Sequence, residues 1–126
     1  DDHVNVVEHV GRGFVELVEE GKFSGPEVES VVSASLKPLL ETGADIIVLG
    51  CTHYPFLRPH LREFLGNRRI EIIDGSMGTA KELKRRLAEK NLLHAEKREQ
   101  QIIFENSMEK QEMIDLSWKL LRLPID

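Results

Sequence analysis

The stretch Ala44–Pro55, ADIIVLGCTHYP, decides how the rest of the chain is read. Its four consecutive apolar residues, Ile46–Leu49, have the length of a strand and the unbroken hydrophobicity of one buried on both faces, as in a parallel sheet covered by helices. Gly50 ends the run. Cys51, Thr52 and His53 follow, so the single thiol of the chain stands beside a hydroxyl and an imidazole at the carboxyl end of a strand. That is where open α/β sheets bind their ligands.

Before this stretch, the clustered β-branched residues Val4, Val6 and Val7 predict a short strand over Val4–Val10, broken by Gly11 and Gly13. Phe14, Leu17 and Val18 recur at helical spacing and predict a short amphipathic helix that carries Glu16, Glu19 and Glu20 and stops at Gly21. Ser24 and Glu27 have the spacing of a capping box. The helix they open would align Val28, Val31, Val32, Leu36, Leu39 and Leu40 on one stripe, with a disturbance at Pro38 and a left-handed terminator at Gly43.

After it, Pro55 and Pro59 fall near the first turn of a further helix with Leu57, Leu61, Phe64 and Leu65 facing the core. Gly66 and Asn67 close that helix, and Ile70, Ile72 and Ile73 predict a further strand ending at Asp74. Gly75–Thr79 turns into a helix with Ala80, Leu83 and Leu87 on its expected buried face, decorated by Lys81, Lys84, Arg85, Arg86 and Lys90. His94–Gln100 reads as a loop, Gln101–Phe104 as a last short strand, and Met113, Ile114, Trp118 and Leu121 as the apolar stripe of a final helix stopped by Pro124. Strands alternating with helices predict an α/β fold, an open parallel sheet with helices on both faces and right-handed crossovers, of flavodoxin or Rossmann type.

A chain of 126 residues with 40% apolar content can build one modest core. With 17 basic and 22 acidic residues, its net charge of -5 gives no electrostatic footprint for nucleic acid or for an anionic membrane. No apolar run approaches the ~20 residues that cross a bilayer, and no basic-then-apolar leader opens the sequence. One cysteine cannot form an internal disulfide, so a reducing cytoplasm is the expected compartment. Asp1-Asp2-His3 runs at once into an apolar stretch, as expected of a piece cut from a longer protein.

A lone cysteine is more often a small core hydrophobe than a catalyst. Position shifts that balance for Cys51, because a helix amino end and the imidazole of His53 both favour a thiolate, which can act as nucleophile or as acid and base. A structural zinc site wants four ligands, and one cysteine with His3, His9, His60 and His94 at unrelated spacings does not supply them. A cysteine hydrolase shares the thiol and imidazole but needs an oxyanion hole and an orienting partner that the sequence does not reveal. The small residues of Gly75–Thr79 do not make GxGxxG, so no dinucleotide site is read there. Met113 and Trp118 fit a core stripe better than a cofactor box, and the cationic helix fits a solvated face.

IIVLGCTHYP followed by EIIDG at 71–75 resembles the second half of the glutamate racemases, amino-acid racemases that work without pyridoxal phosphate. FVELVEEG before it and IIFENSMEKQEMIDLSWKLL after it fit the same order of elements, so the resemblance spans nearly the whole chain. In that family two cysteines face each other across a cleft between two similar α/β domains, one removing the α-proton and the other returning a proton to the opposite face. The resemblance implies that Cys51 is the second of these, that Thr52 binds the amino-acid end of the substrate, and that His53 assists the thiol. Glu19 in LVEEG matches an acidic residue near that histidine, with Glu20 as its neighbouring alternative, and read by itself it is a solvated helix residue.

The family's opening Asp-Ser pair and its Cys-Asn-Thr motif have no counterpart here, and Val10–Glu16 reads VGRGFVE where many members have Ala-Cys-Pro. The resemblance therefore implies that residues 1–74 are part of the second catalytic domain and that residues 75–126 return to complete the first. It further implies a parent enzyme that interconverts L- and D-glutamate for peptidoglycan, with no cofactor and no metal, while this chain alone lacks the opposing thiol and is inactive. Alternatives are an aspartate or hydantoin racemase relative, or a non-catalytic binding or assembly module. The expected partners are glutamate and the missing N-terminal half of the enzyme. A homodimer is a further arrangement, although the family pairs unlike domains within one chain.

Overall fold

Ile46–Leu49 forms β1 and Glu71–Asp74 forms β2, and the two pair in parallel with Ile47 opposite Ile72 and Leu49 opposite Asp74. These strands belong to a computed structural model that describes residues 3–94, 99 and 101–123. A parallel pair needs a crossover, which is made by a 3₁₀ turn, Tyr54–Leu57, running into helix α3, Arg58–Leu65. Helices α1 (Phe14–Glu19) and α2 (Pro26–Glu41) precede the strands, and α4 (Ser76–Glu89) and α5 (Gln111–Leu121) follow them.

The core follows the helical periodicities. Leu57, Leu61 and Leu65 recur every fourth residue and are sealed from solvent. They meet Val28, Val32 and Leu36 of α2, Phe14, Leu17 and Val18 of α1, and Ile47, Leu49 and Ile72 from one side of the sheet. Each such side chain contributes about 1.5–3 kcal/mol through burial. Pro38 stays inside α2 without ending it, and the carbonyl of Ala34 that it leaves unbonded lies on the exposed side, where solvent can satisfy it. Gly43 adopts φ 77°, the left-handed terminator expected after this helix.

The parallel α/β arrangement is the expected one, but its helices cover one face of the strands only. Ile47 and Leu49 are buried, while their alternating neighbours Ile46 and Val48 are exposed, Val48 to 67%. Four apolar residues in a row therefore reflect one covered and one bare side, and no described segment packs over Ile46, Val48 and Ile73.

Other expectations are also corrected. Val4–Val10 forms no strand, and its four valines are exposed, because a β-branched cluster without a neighbouring strand has no ladder to join. Gln101–Phe104 likewise forms no strand. The Ser24 capping box does not form: α2 starts at Pro26 behind Gly25, and Glu27 instead bonds Lys22 at 2.9 Å. Helix α4 buries no residue, with Ala80 and Leu83 exposed, and two of its cations, Arg85 and Arg86, both pair with its own Glu82. Most of the expected loop at 94–100, and the stop at Pro124, lie outside the described residues.

Candidate active site

The segment between β1 and α3 leaves the strand at Gly50, and Pro55 fixes the first turn of the 3₁₀ helix. The backbone N–H of Tyr54 donates to the carbonyl of Cys51 at 3.2 Å, and that of Phe56 to His53 at 3.2 Å. The ring of Tyr54 meets Phe14 edge to face at 5.1 Å, which ties the turn to α1. Gly11 is needed beside this pair, since a Cβ there would come within 3.1 Å of the Tyr54 ring.

This turn brings together three of the residues singled out by sequence. Cys51 is half-buried, and its Sγ lies 3.7 Å from Nδ1 of His53. The other ring nitrogen, Nε2, lies 3.4 Å from Oε1 of Glu19 at the end of α1. Thiol, imidazole and carboxylate thus form a line in which each of the two ring nitrogens faces one partner. Glu20 points elsewhere and pairs with Lys22 at 2.7 Å, so of the two adjacent glutamates it is Glu19 that faces the ring. Beside its two glutamate partners the Lys22 ammonium is held up at about 12, led by Glu20.

Thr52 is exposed and does not join that line. It lines a cavity of about 380 Å³ together with Glu19, His53 and Phe56, and the opposite wall is α5, through Met113, Leu116 and Leu120. Cys51 does not line this cavity; it sits beyond the imidazole, on the Nδ1 side. Lys119 fastens α5 there, donating to the carbonyl of Gly21 at 2.6 Å and standing 5.1 Å over the ring of Phe23. Periodicity marked α5 as amphipathic but not where it docks: the cavity takes Leu116 and Leu120, whereas Trp118 packs edge to face on Phe104 at 4.9 Å.

A second polar group at the strand ends was not legible as such. Arg58, in the first turn of α3, donates from Nη1 to the carbonyl of Ile72 at 2.9 Å and from Nη2 to Oδ2 of Asp74. The remaining Asp74 oxygen accepts the backbone N–H of Ser76 at 2.7 Å. Ser76 first, and then the Arg58 guanidinium, hold the Asp74 carboxyl below its ordinary range. A cation at the start of a helix and an acid at the end of a strand signal nothing singly; only the crossover makes them neighbours.

Among the described residues no group of three or more histidine, cysteine or acidic side chains could hold a metal ion, and no helix is long and apolar enough to cross a membrane. No protein-family model matches the chain. Individual proteins do. A glutamate racemase of Clostridium perfringens strain SM101 is 38% identical over 122 residues, 97% of this chain and 46% of its own length. One of Clostridium botulinum strain Alaska E43 is 43% identical over 107 residues, 85% of this chain and 41% of its own.

The chain is homologous to about half of a glutamate racemase. It spans about half the length of the curated relatives it matches. The crystal structure of glutamate racemase from Francisella tularensis in complex with D-glutamate superimposes on the whole chain with a TM-score of 0.75 at 24% identity. That glutamate racemase is covered to 46% of its length, so the shared architecture is that of a partial α/β fold. The parallel strands β1 and β2 therefore belong to a partial α/β fold shared with that structure.

Proposed function

We propose that the chain is the part of a glutamate racemase that carries one of two acid and base thiols, with residues 1–74 in the second catalytic domain and residues 75–126 completing the first. The observation that carries this reading is the line Cys51 Sγ, His53, Glu19 at the carboxyl end of a parallel strand in a chain related to glutamate racemases. Inversion at a carbon needs a base on one face and an acid on the other. Cys51 as thiolate takes the α-proton of one enantiomer, and a thiol supplied by the other half of the parent protein returns a proton to the opposite face. In the reverse direction Cys51 is the donor. No electron changes hands and no cofactor enters.

His53 faces the thiol and serves it as proton partner, while Glu19 holds the ring by its far nitrogen. Thr52, adjacent and exposed, offers a hydroxyl and an N–H to the substrate's carboxylate. Glutamate is the substrate, in a cytoplasmic enzyme that supplies D-glutamate to peptidoglycan, and the missing half of the same enzyme is the main partner. The bare face at Ile46, Val48 and Ile73 supports that need for further chain, and it equally supports association of two copies as a homodimer when the chain is alone. Alone, the chain has one thiol and is inactive.

The test is loss of optical activity from L-glutamate by the full-length parent, run beside L-aspartate. Racemisation of glutamate, abolished by Cys51→Ser, is expected. Preference for aspartate would replace glutamate with the related substrate, and racemisation that survives Cys51→Ser would remove the thiol from the reaction.

A further inference from the structure

We propose that Arg58 and Asp74 are a positioning pair that sets the Cys51–His53 geometry by bringing both ends of the site-bearing turn back to one residue, Asp74, the first end by strand register and the second by the Arg58 side chain. The inference rests on the acid and base reading of Cys51 above. Gly50–Leu57 leaves the sheet from Leu49 and enters α3 at Arg58. Leu49 is the residue of β1 in register with Asp74, so the outgoing end of the turn is fixed beside Asp74 by strand pairing. Arg58 is its incoming end, and it returns to the same place, holding the side chain of Asp74 and the carbonyl of Ile72 with its two terminal nitrogens. Both side chains are largely buried, at 16% and 11% exposed, so solvent screens the pair far less than it screens the surface ion pairs of α4.

A turn pinned at both ends has few ways to rearrange, and the 3.7 Å separation of thiol and imidazole lies inside it. No hydrogen bond or ion pair joins Arg58 or Asp74 to Cys51 or His53, so their influence runs through the backbone of the turn. Arg58 suits this role better than lysine would, because its planar fork reaches a carbonyl and a carboxylate at once. Ser76 occupies the other oxygen of Asp74, so an asparagine there must forfeit either the Ser76 or the Arg58 contact.

The experiment is a double-mutant cycle read by the rate at which iodoacetamide alkylates Cys51 in the full-length parent, with Arg58→Met, Asp74→Asn and His53→Ala alone and in pairs. If the pair acts through the imidazole, Arg58→Met and Asp74→Asn each slow alkylation several-fold when His53 is present and leave it unchanged in the His53→Ala background. Arg58→Lys recovers part of the rate. Equal slowing in both backgrounds, or no slowing while His53→Ala slows the reaction, overturns the positioning role and leaves the acid and base reading standing. Alkylation indifferent to His53→Ala overturns that reading, and the positioning role with it. Asp74→Asn preserves shape and decides the matter if Arg58→Met does not fold.

Discussion

Glu19 reaches His53 from another element of the fold, its Oε1 standing 3.4 Å from Nε2, while the adjacent Glu20 is taken by Lys22. Two neighbouring acids of one helix end thus have separate partners. Glu19 is exposed to 63%, so its pairing adds little to stability, at most about 1 kcal/mol. Its consequence is orientation: with one ring nitrogen engaged, the other is directed at Cys51.

Glu19→Ala is therefore expected to lower kcat for glutamate in the full-length parent by up to about 100-fold, as misplacing a reacting group does. Glu20→Ala is expected to leave it unchanged. Chemical denaturation should find both variants close to the parent protein in stability. A Glu20 variant as impaired as the Glu19 variant would show that the acidic cluster acts as a field and not through one contact.

Asp74 makes stability depend on pH in a defined direction. Its carboxyl is held below the usual value of 3.8, by Ser76 first and Arg58 after it. The folded state binds this proton less readily than the unfolded chain does. The stabilisation is fully present above the ordinary carboxylate range and is lost as pH falls through the lower, folded value. Asp74→Asn should cost about 1–3 kcal/mol at pH 7, and the difference from the parent should shrink below pH 3.8. Urea titrations at pH 7 and at pH 3 measure both.

The two sides of the sheet should respond oppositely to substitution. Leu61 is sealed between α2 and the strands, and Leu61→Ala should cost about 2–5 kcal/mol. Val48 points from the bare side, and Val48→Thr should change the stability of this chain by no more than about 0.5 kcal/mol. Sedimentation at rising concentration should show less self-association for the threonine variant. A large loss of stability from Val48→Thr would mean that this side is covered within the chain itself.

How much could be read in advance follows from where the information lies. The phases of α2 and α3 and the run Ile46–Leu49 are local, and each formed where the periodicity put it. The strand at Val4–Val10 did not, because pairing depends on a neighbour and the described chain supplies none. Burial of β1 on both faces failed for the same reason: four apolar residues report what the sheet can bury, not what arrives to bury it. Within the site, the adjacency of Cys51 and His53 was legible in three letters. The approach of Glu19 rested on family likeness until the geometry set it against the ring. The docking of α5 across the cavity and the Arg58 to Asp74 bridge span contacts far apart in sequence, and neither leaves a local signal.

The central claim is that the Cys51 thiol exchanges a proton with the α-carbon of an amino acid. The measurement that meets it most directly is incorporation of solvent deuterium at the α-position of glutamate by the full-length parent, compared with Cys51→Ser, whose hydroxyl is too weakly acidic to take the thiol's place near neutral pH. Incorporation by the parent and its loss in the serine variant is the predicted result. Deuterium entering both enantiomers at an undiminished rate in Cys51→Ser would contradict the account.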